Sequence, residues 1–221
     1  MSLKAAIKSL DFFRSLSAVE IESLSSYSHL YRYTNEYILH YENQRLKNLE
    51  FLVSGSAKVY KIDKHENEIF LYNIASNSLL SEITDFEAQS VVTFSNIALQ
   101  EDSKILSIDY ALFKQQFLDT KILCSEFAYE AIERSCKMQD LLNREFIFDA
   151  VSKVAMMLSS DLEMFNKHKR HDISLMLHIQ PATLSRVLNR LKRNNIIGII
   201  HGQVKVLDDD ALKNIYEEEI V

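Results

Sequence analysis

The chain has 221 residues, 47% of them hydrophobic, a net charge of −6, one proline, three glycines and two cysteines. That length and apolar content support one or two domains with real cores, and no run of about 18 apolar residues is available to span a membrane. Cys124 and Cys136 fit no zinc, iron–sulfur or thioredoxin spacing, and the N-terminus MSLKAAIKSLDFF is too mixed for a signal peptide, so a cytoplasmic protein without metal site or structural disulfide is expected.

Residues 1–19 read as helical, because Leu3, Ile7, Leu10 and Phe13 fall at spacings of three and four. From about Tyr27 to Ile108 the texture changes to short, partly alternating runs: HLYRY, YILHY, LEFLVSG, AKVYKID, EIFLYNIA, SVVTF, SNIALQ and KILSID. Their Tyr, Phe, Val and Ile content, with polar breaks such as TNE, HENE, ASNS and QEDS between them, predicts an antiparallel sandwich or barrel. With so little glycine, Asn, Asp and Ser are expected to carry the turns.

From Tyr110 to about Phe148 the pattern is helical and long. Cys124, Ala128, Ala131, Ser135, Met138 and Leu142 alternate at steps of four and three, a heptad seam of mostly small residues suited to a close helix pair between two copies of the chain. Phe127 is counted with this dimer helix, although Leu123, Phe127 and Leu141 form a neighbouring stripe that could face the β domain. On the seam, Cys124 could approach its symmetry mate as a thiol switch, although burial there would favour an inert thiol. Asp149 is placed to cap the next helix, whose face is Val151, Val154, Ala155 and Leu158 and which runs to about Phe165. NKHKRH, 166–171, reads as a basic connector.

The last segment carries the clearest pattern. Ile173–Leu177 reads as a short helix capped by Asp172, with a tight break over His178, Ile179 and Gln180. The only proline, Pro181, then opens a second helix at the one position where a missing N–H is harmless. Leu184, Val187, Leu188 and Leu191 fall at i, i+3, i+4 and i+7 and form its core face. Ala182, Ser185, Arg186, Asn189, Arg190 and Arg193 form the free face. IIGII and QVKVL follow, joined by a turn at His201–Gly202. Two short helices with a three-residue turn, then a hairpin, describe a winged helix-turn-helix.

Charge agrees with that reading. Between Asn166 and Leu207 eight basic residues stand against Asp172 alone, a local balance of +7 that leaves −13 for the rest of the chain. A basic island in an acidic chain marks where a polyanion binds. Gln180, Thr183 and Ser185 at the helix start suit phosphate or groove contacts, and Arg186 is placed to read a guanine edge. Arg190, Lys192, Arg193, Lys169 and Lys205 are candidates for phosphate contacts.

This order of parts resembles the cyclic-AMP receptor and fumarate–nitrate regulator family of bacterial transcription factors. TLSRVLNRLKRNNII resembles the family's recognition helix; FLVSG followed by AKVYKI resembles its strand–turn–strand; SNSLLSE and ALQEDSKILSIDYALF resemble the entry and exit of its phosphate-binding cassette. The resemblance implies an α+β chain: an N-terminal double-stranded β-helix (jelly roll) over residues 1–115, a long dimerisation helix over 116–147, and a winged helix-turn-helix over 148–221. It implies a non-enzymatic, effector-responsive, homodimeric transcription regulator acting on double-stranded DNA and RNA polymerase. The alternative is a winged-helix signalling module that binds a protein partner.

Three departures from the family pattern matter. Leu80, Ser81, Glu82, Thr93 and Phe94 map to the effector pocket, but no Arg or Lys lies between Glu82 and Ser95, and Asp85 and Glu87 add negative charge. A cyclic phosphate is therefore not the expected effector. The cysteine cluster of an iron–sulfur sensor is missing; His29, His40 and His65 remain candidate axial ligands for a haem. Ala182 stands where many members have a base-reading glutamate, and His178 stands where they have a turn glycine.

Overall fold

In the computed structural model, residues 1–82, 88 and 90–217 are described. They divide into two compact units, Met1–Ser135 and Cys136–Val221.

The first unit opens with two helices, α1 (Leu3–Ser9) and α2 (Ala18–Ser26), separated by a 3-10 turn, Asp11–Phe13. The single helical stretch expected over 1–19 is thus two, because Ser17 starts a new one. Its hydroxyl accepts from Glu20 N while the Glu20 side chain accepts from Ser17 N, a capping box legible in the sequence as S-x-x-E. Strands β1 (Ser28–Tyr33), β2 (Ile38–His40), β3 (Arg45–Leu46), β4 (Asn48–Ser54), β5 (Ser56–Ile62), β6 (Glu68–Ala75), β7 (Ser78–Leu79), β8 (Val91–Val92), β9 (Asn96–Leu99) and β10 (Ser103–Asp109) follow. They form antiparallel sheets ordered β1-β10-β4-β7 and β2-β9-β5-β6, with β3 paired to β8. This is the anticipated jelly roll; only the two-residue strands β3 and β7 have no counterpart among the eight runs.

The two faces of the first sheet bury different things. Leu52 and Ile105 meet Ala57, Val59, Ile74, Ile97 and Leu99 inside the roll. Leu49, Phe51, Leu106 and Ile108 face outward onto the helices. There Phe12 lies 4.9 Å from Phe51 and 5.0 Å from Phe127, ring centre to ring centre. Such edge and tilted pairs add about 0.5–1.5 kcal/mol each beyond burial.

Glycine matters most at Gly55, between β4 and β5, where φ is +105°. A Cβ there would stand 2.1 Å from Ser103 Oγ and 3.1 Å from Ser103 Cα. Backbone strain and steric overlap act together, so Gly55→Ala is expected to lower stability by about 2 kcal/mol or more, read as a lower denaturant midpoint at unchanged slope. Elsewhere the turns depart from expectation. Among the described non-glycine residues, Asn43, Asn77 and Asn195 take positive φ, but so do Glu36, Glu66, Lys121, His178 and His201. Asp serves the β5–β6 turn through its side chain: Asp63 Oδ1 accepts from the backbone N of His65 (2.7 Å) and of Asn67 (2.9 Å).

The long helical run is interrupted. α3 (Tyr110–Phe113) passes into a π-helical turn, Lys114–Leu118, and the chain turns at Lys121 (φ +63°) before α4 (Cys124–Leu142) begins. A second π-helical turn, Asn143–Ile147, ends it.

In the second unit Asp149 caps α5 (Ala150–Ser160) by accepting from Val151 N and Ser152 N. α5 does not continue to Phe165, because Asp161 leaves helical geometry (φ −149°) and caps a separate α6 (Leu162–Lys167) through Met164 N. α7 spans Arg170–Met176 with Lys169 at its N-cap, so Asp172 lies in its first turn and is not its cap. The supposed connector 166–171 is therefore mostly helix ends. α8 (Pro181–Arg193) starts at the proline, with Gln180 as N-cap making no side-chain capping bond. β11 (Ile197–Ile200) and β12 (Gln203–Val206) pair through a turn with His201 at φ +50° and Gly202 at +81°, the left-handed pair a tight hairpin requires. α9 (Asp209–Glu217) closes the unit.

Candidate nucleic-acid interface

α8 buries one side and offers the other. Leu184, Val187, Leu188 and Leu191 are buried, while Ala182, Ser185, Arg186, Asn189, Arg190, Lys192 and Arg193 are exposed and Thr183 is half-buried. The exposed face is held ready with little else to do. Ser185 Oγ donates back to Pro181 O (3.1 Å), and Arg186 Nε lies 3.4 Å from Ala182 O. A cleft of ≈ 980 Å³ runs beside Ala150 and Val151 of α5 and is lined on α8 by Thr183, Arg186, Asn189, Arg190, Lys192 and Arg193. Four cations and the helix-start hydroxyl of Thr183 on one wall form a surface for phosphate and base edges. Gln180, Lys169 and Lys205 are exposed as well, Lys169 ahead of α7 and Lys205 on β12.

Arg170, one of the eight island cations, is used differently. It donates to Gly202 O at the hairpin tip (2.7 Å) and lies over the Phe165 ring (4.5 Å), and burial holds its pKa below the usual guanidinium value. Asn166 reinforces the same wing: its amide accepts from Val204 N (2.8 Å) and donates to Val204 O (2.9 Å), as a neighbouring strand would. Spacing alone shows neither tether, since each spans more than thirty residues.

The turn before α8 is closed by a Schellman motif. Ile179 N donates to Ser174 O (3.0 Å) and His178 N to Leu175 O (3.1 Å), which requires His178 to adopt φ +52°. Its Nδ1 lies 2.8 Å from Glu145 Oε2, while Arg144 Nε lies 3.1 Å from the other Glu145 oxygen and Lys153 Nζ 3.9 Å from Oε2. Desolvation pushes the Glu145 carboxyl up, but the His178 and Arg144 hydrogen bonds and the charges of His178 and Lys153 leave it below the ordinary carboxylate value. A depressed folded pKa contributes stability above the unfolded value, lost as pH falls through the folded one. Melting between about pH 3 and pH 7 should therefore show a shallower acid-side loss for Glu145→Gln than for wild type.

The effector residues of the roll have less freedom than their positions suggest. Leu80 and Ser81 are fully buried, and Ser81 Oγ accepts from Glu50 N (2.9 Å). Thr93 is buried with its hydroxyl donating to Tyr41 O (2.5 Å) and accepting from Gln44 N (2.9 Å), whereas Phe94 is 48% exposed. Glu82 accepts from Phe94 N (2.6 Å) and faces Arg134 Nη1 at 3.8 Å. Arg134 also donates to Leu79 O (3.1 Å). A cation does reach this region, then, from α4 and not from the cassette; a phosphate there would compete with Glu82 for it. Asp85 and Glu87 lie outside the described residues. Of the histidines, His29 stacks on Tyr31 (6.1 Å), His40 is buried with Nε2 2.9 Å from Glu50 Oε2, and His65 lies on the β5–β6 turn.

On α4, Phe127 is buried against Phe12 and Phe113, so it belongs to the roll's outer core and is not available to the seam. Cys124, Ala128, Ala131, Ser135, Met138 and Leu142 are not buried in the single chain; Met138 is exposed at 43% and Leu142 at 44%. The Cys124 thiol is thus exposed in the single chain, with Sγ 3.7 Å from Leu118 O.

Residues 157–215 match the family of Crp-like helix-turn-helix domains. That stretch of the second unit is a Crp-like helix-turn-helix domain. Over most of the chain the fold is similar to that of solved Crp/Fnr-type proteins. FixK2 from Bradyrhizobium japonicum superposes with a TM-score of 0.66 at 18% identity, covering 85% of this chain and 96% of its own. A transcriptional regulator assigned to the Crp/Fnr family from Eubacterium rectale gives 0.66 at 16%, with 95% and 99% covered. A CooA mutant from Carboxydothermus hydrogenoformans gives 0.64 at 20%, with 86% and 88% covered. A search of curated protein sequences finds no match. Among the described residues no helix is long and apolar enough to cross a membrane.

Proposed function

We propose that the chain is a sequence-specific, homodimeric transcription regulator of the Crp/Fnr type, in which an effector acting on the roll sets how two winged helices meet DNA. The observation that carries this is the free face of α8, where Arg186, Arg190, Lys192 and Arg193 stand exposed within a Crp-like domain. Arg186 reads a base edge; Thr183, Ser185, Arg190, Lys192, Arg193, Lys169 and Lys205 meet phosphate; Ala182 contributes at most an apolar contact with a thymine methyl, so the half-site differs from that of members with a glutamate there. The exposed α4 seam pairs the copies. The effector is a molecule other than a cyclic nucleotide, since the Arg134 that could meet a phosphate is engaged by Glu82. Such a protein works in the cytoplasm, with RNA polymerase as its family-implied partner.

Salt dependence of binding to duplex DNA tests this reading. Six to ten phosphate contacts per dimer should weaken binding by roughly 10³–10⁵ between about 50 and 200 mM salt. Binding that is absent at low salt, or indifferent to salt, would speak against it and for a protein partner.

A further inference from the structure

The Glu145–His178 pair does something the DNA-reading face does not explain. Both residues lie in the second unit: Glu145 sits in the π-helical turn that ends α4, and His178 in the turn that begins the recognition helix. Thirty-three residues apart in sequence, they meet at 2.8 Å, each side chain about a quarter exposed. Two features show that the contact is built. His178 occupies the left-handed C′ position of a Schellman motif, φ +52°, where glycine is the least strained residue. Glycine has no side chain with which to reach Glu145. Glu145 is also oriented from its own side by Arg144 at 3.1 Å and from α5 by Lys153 at 3.9 Å, so the carboxylate cannot swing freely.

We infer that Glu145 and His178 are positioning residues that fix the half-site spacing this protein accepts, by fastening the start of the recognition helix directly to the end of the dimer helix. Without the pair, α4 reaches α8 only through the extended residue Phe148 and then through α5, whose Ala150 and Val151 lie beside α8. With it, the start of α8 is joined to the last turn of the helix that sets the two-fold axis. Neither residue touches DNA. The inference rests on the dimeric DNA-binding reading.

Two readouts on the full-length protein test it. The variants are His178→Gly, which suits the left-handed turn and so keeps it closed, and Glu145→Ala, which removes the pair from the other side. Hydrogen exchange needs no DNA: amides around Ile179–Leu184 and Asn143–Phe148 should exchange faster, by about threefold or more, in both variants and no faster in the double variant. On duplexes with the half-sites one or two base pairs closer or farther apart, the variants should discriminate between spacings by about threefold less than wild type, with base preference inside each half-site unchanged. Unchanged exchange in both variants overturns the inference, and so does faster exchange with wild-type spacing discrimination. Failure of the wild-type protein to bind any duplex would instead remove the DNA-binding reading, while the exchange result would still decide whether the pair fastens the turn.

Discussion

Arg186→Ala is expected to weaken binding to the cognate operator by about 10–100-fold for each half-site and to flatten selection at one base pair in each, while leaving the fold intact. The side chain is exposed, one turn into α8, and its Nε lies 3.4 Å from Ala182 O in the free protein. Removing it therefore leaves no buried group unsatisfied. Arg193→Ala should behave differently, weakening all duplexes similarly and reducing the salt slope by about one for each phosphate that the arginine neutralises. Parallel competition binding with single-base operator variants separates the two outcomes. Equal weakening on every sequence for Arg186→Ala would show that Arg186 meets phosphate and that the half-site is read by other residues.

The second large effect is expected at the α4 seam. Ala131→Glu places a carboxylate in the middle of Cys124, Ala128, Ser135, Met138 and Leu142, a face left uncovered in the single chain. Across a two-fold axis the substitution appears twice, so two like charges would be buried against each other in a seam that permits close approach because its residues are small. The variant should run as a monomer in sedimentation, keep the roll's thermal transition, and bind operator about 100-fold or more weakly, because the second half-site no longer binds intramolecularly. Lys64→Glu, on the β5–β6 turn, changes the charge further and should leave the dimer whole. A variant that stays dimeric would place the subunit interface elsewhere.

What can be read from residues alone follows physical range. Pro181 and the i, i+3, i+4, i+7 leucine and valine face place the start of α8 to the residue, because helix starts and amphipathic faces are local. The eight β runs are legible for the same reason, as are Asp149 as a cap and His201–Gly202 as a hairpin turn. Some local features are nonetheless silent. Asp161 ends α5 and Lys121 divides the helical run before α4, yet neither Asp nor Lys is a strong breaker by type. Tertiary contacts are out of reach. Nothing in the order of residues shows that Arg134 reaches Glu82, that Arg170 holds the wing tip, or that Thr93 spends its hydroxyl on the β2–β3 turn. His178 is the intermediate case: a histidine at a position that favours glycine is visible in the sequence, and the reason for it, Glu145, comes only with the structure.

Selection of the purified full-length protein against random duplex DNA tests the central claim most directly. The expected product is an inverted repeat whose half-sites lie about one helical turn apart, with a guanine preference that disappears when Arg186 is replaced. Enrichment of no sequence, or of a single unrepeated site that Arg186→Ala still selects, would contradict it.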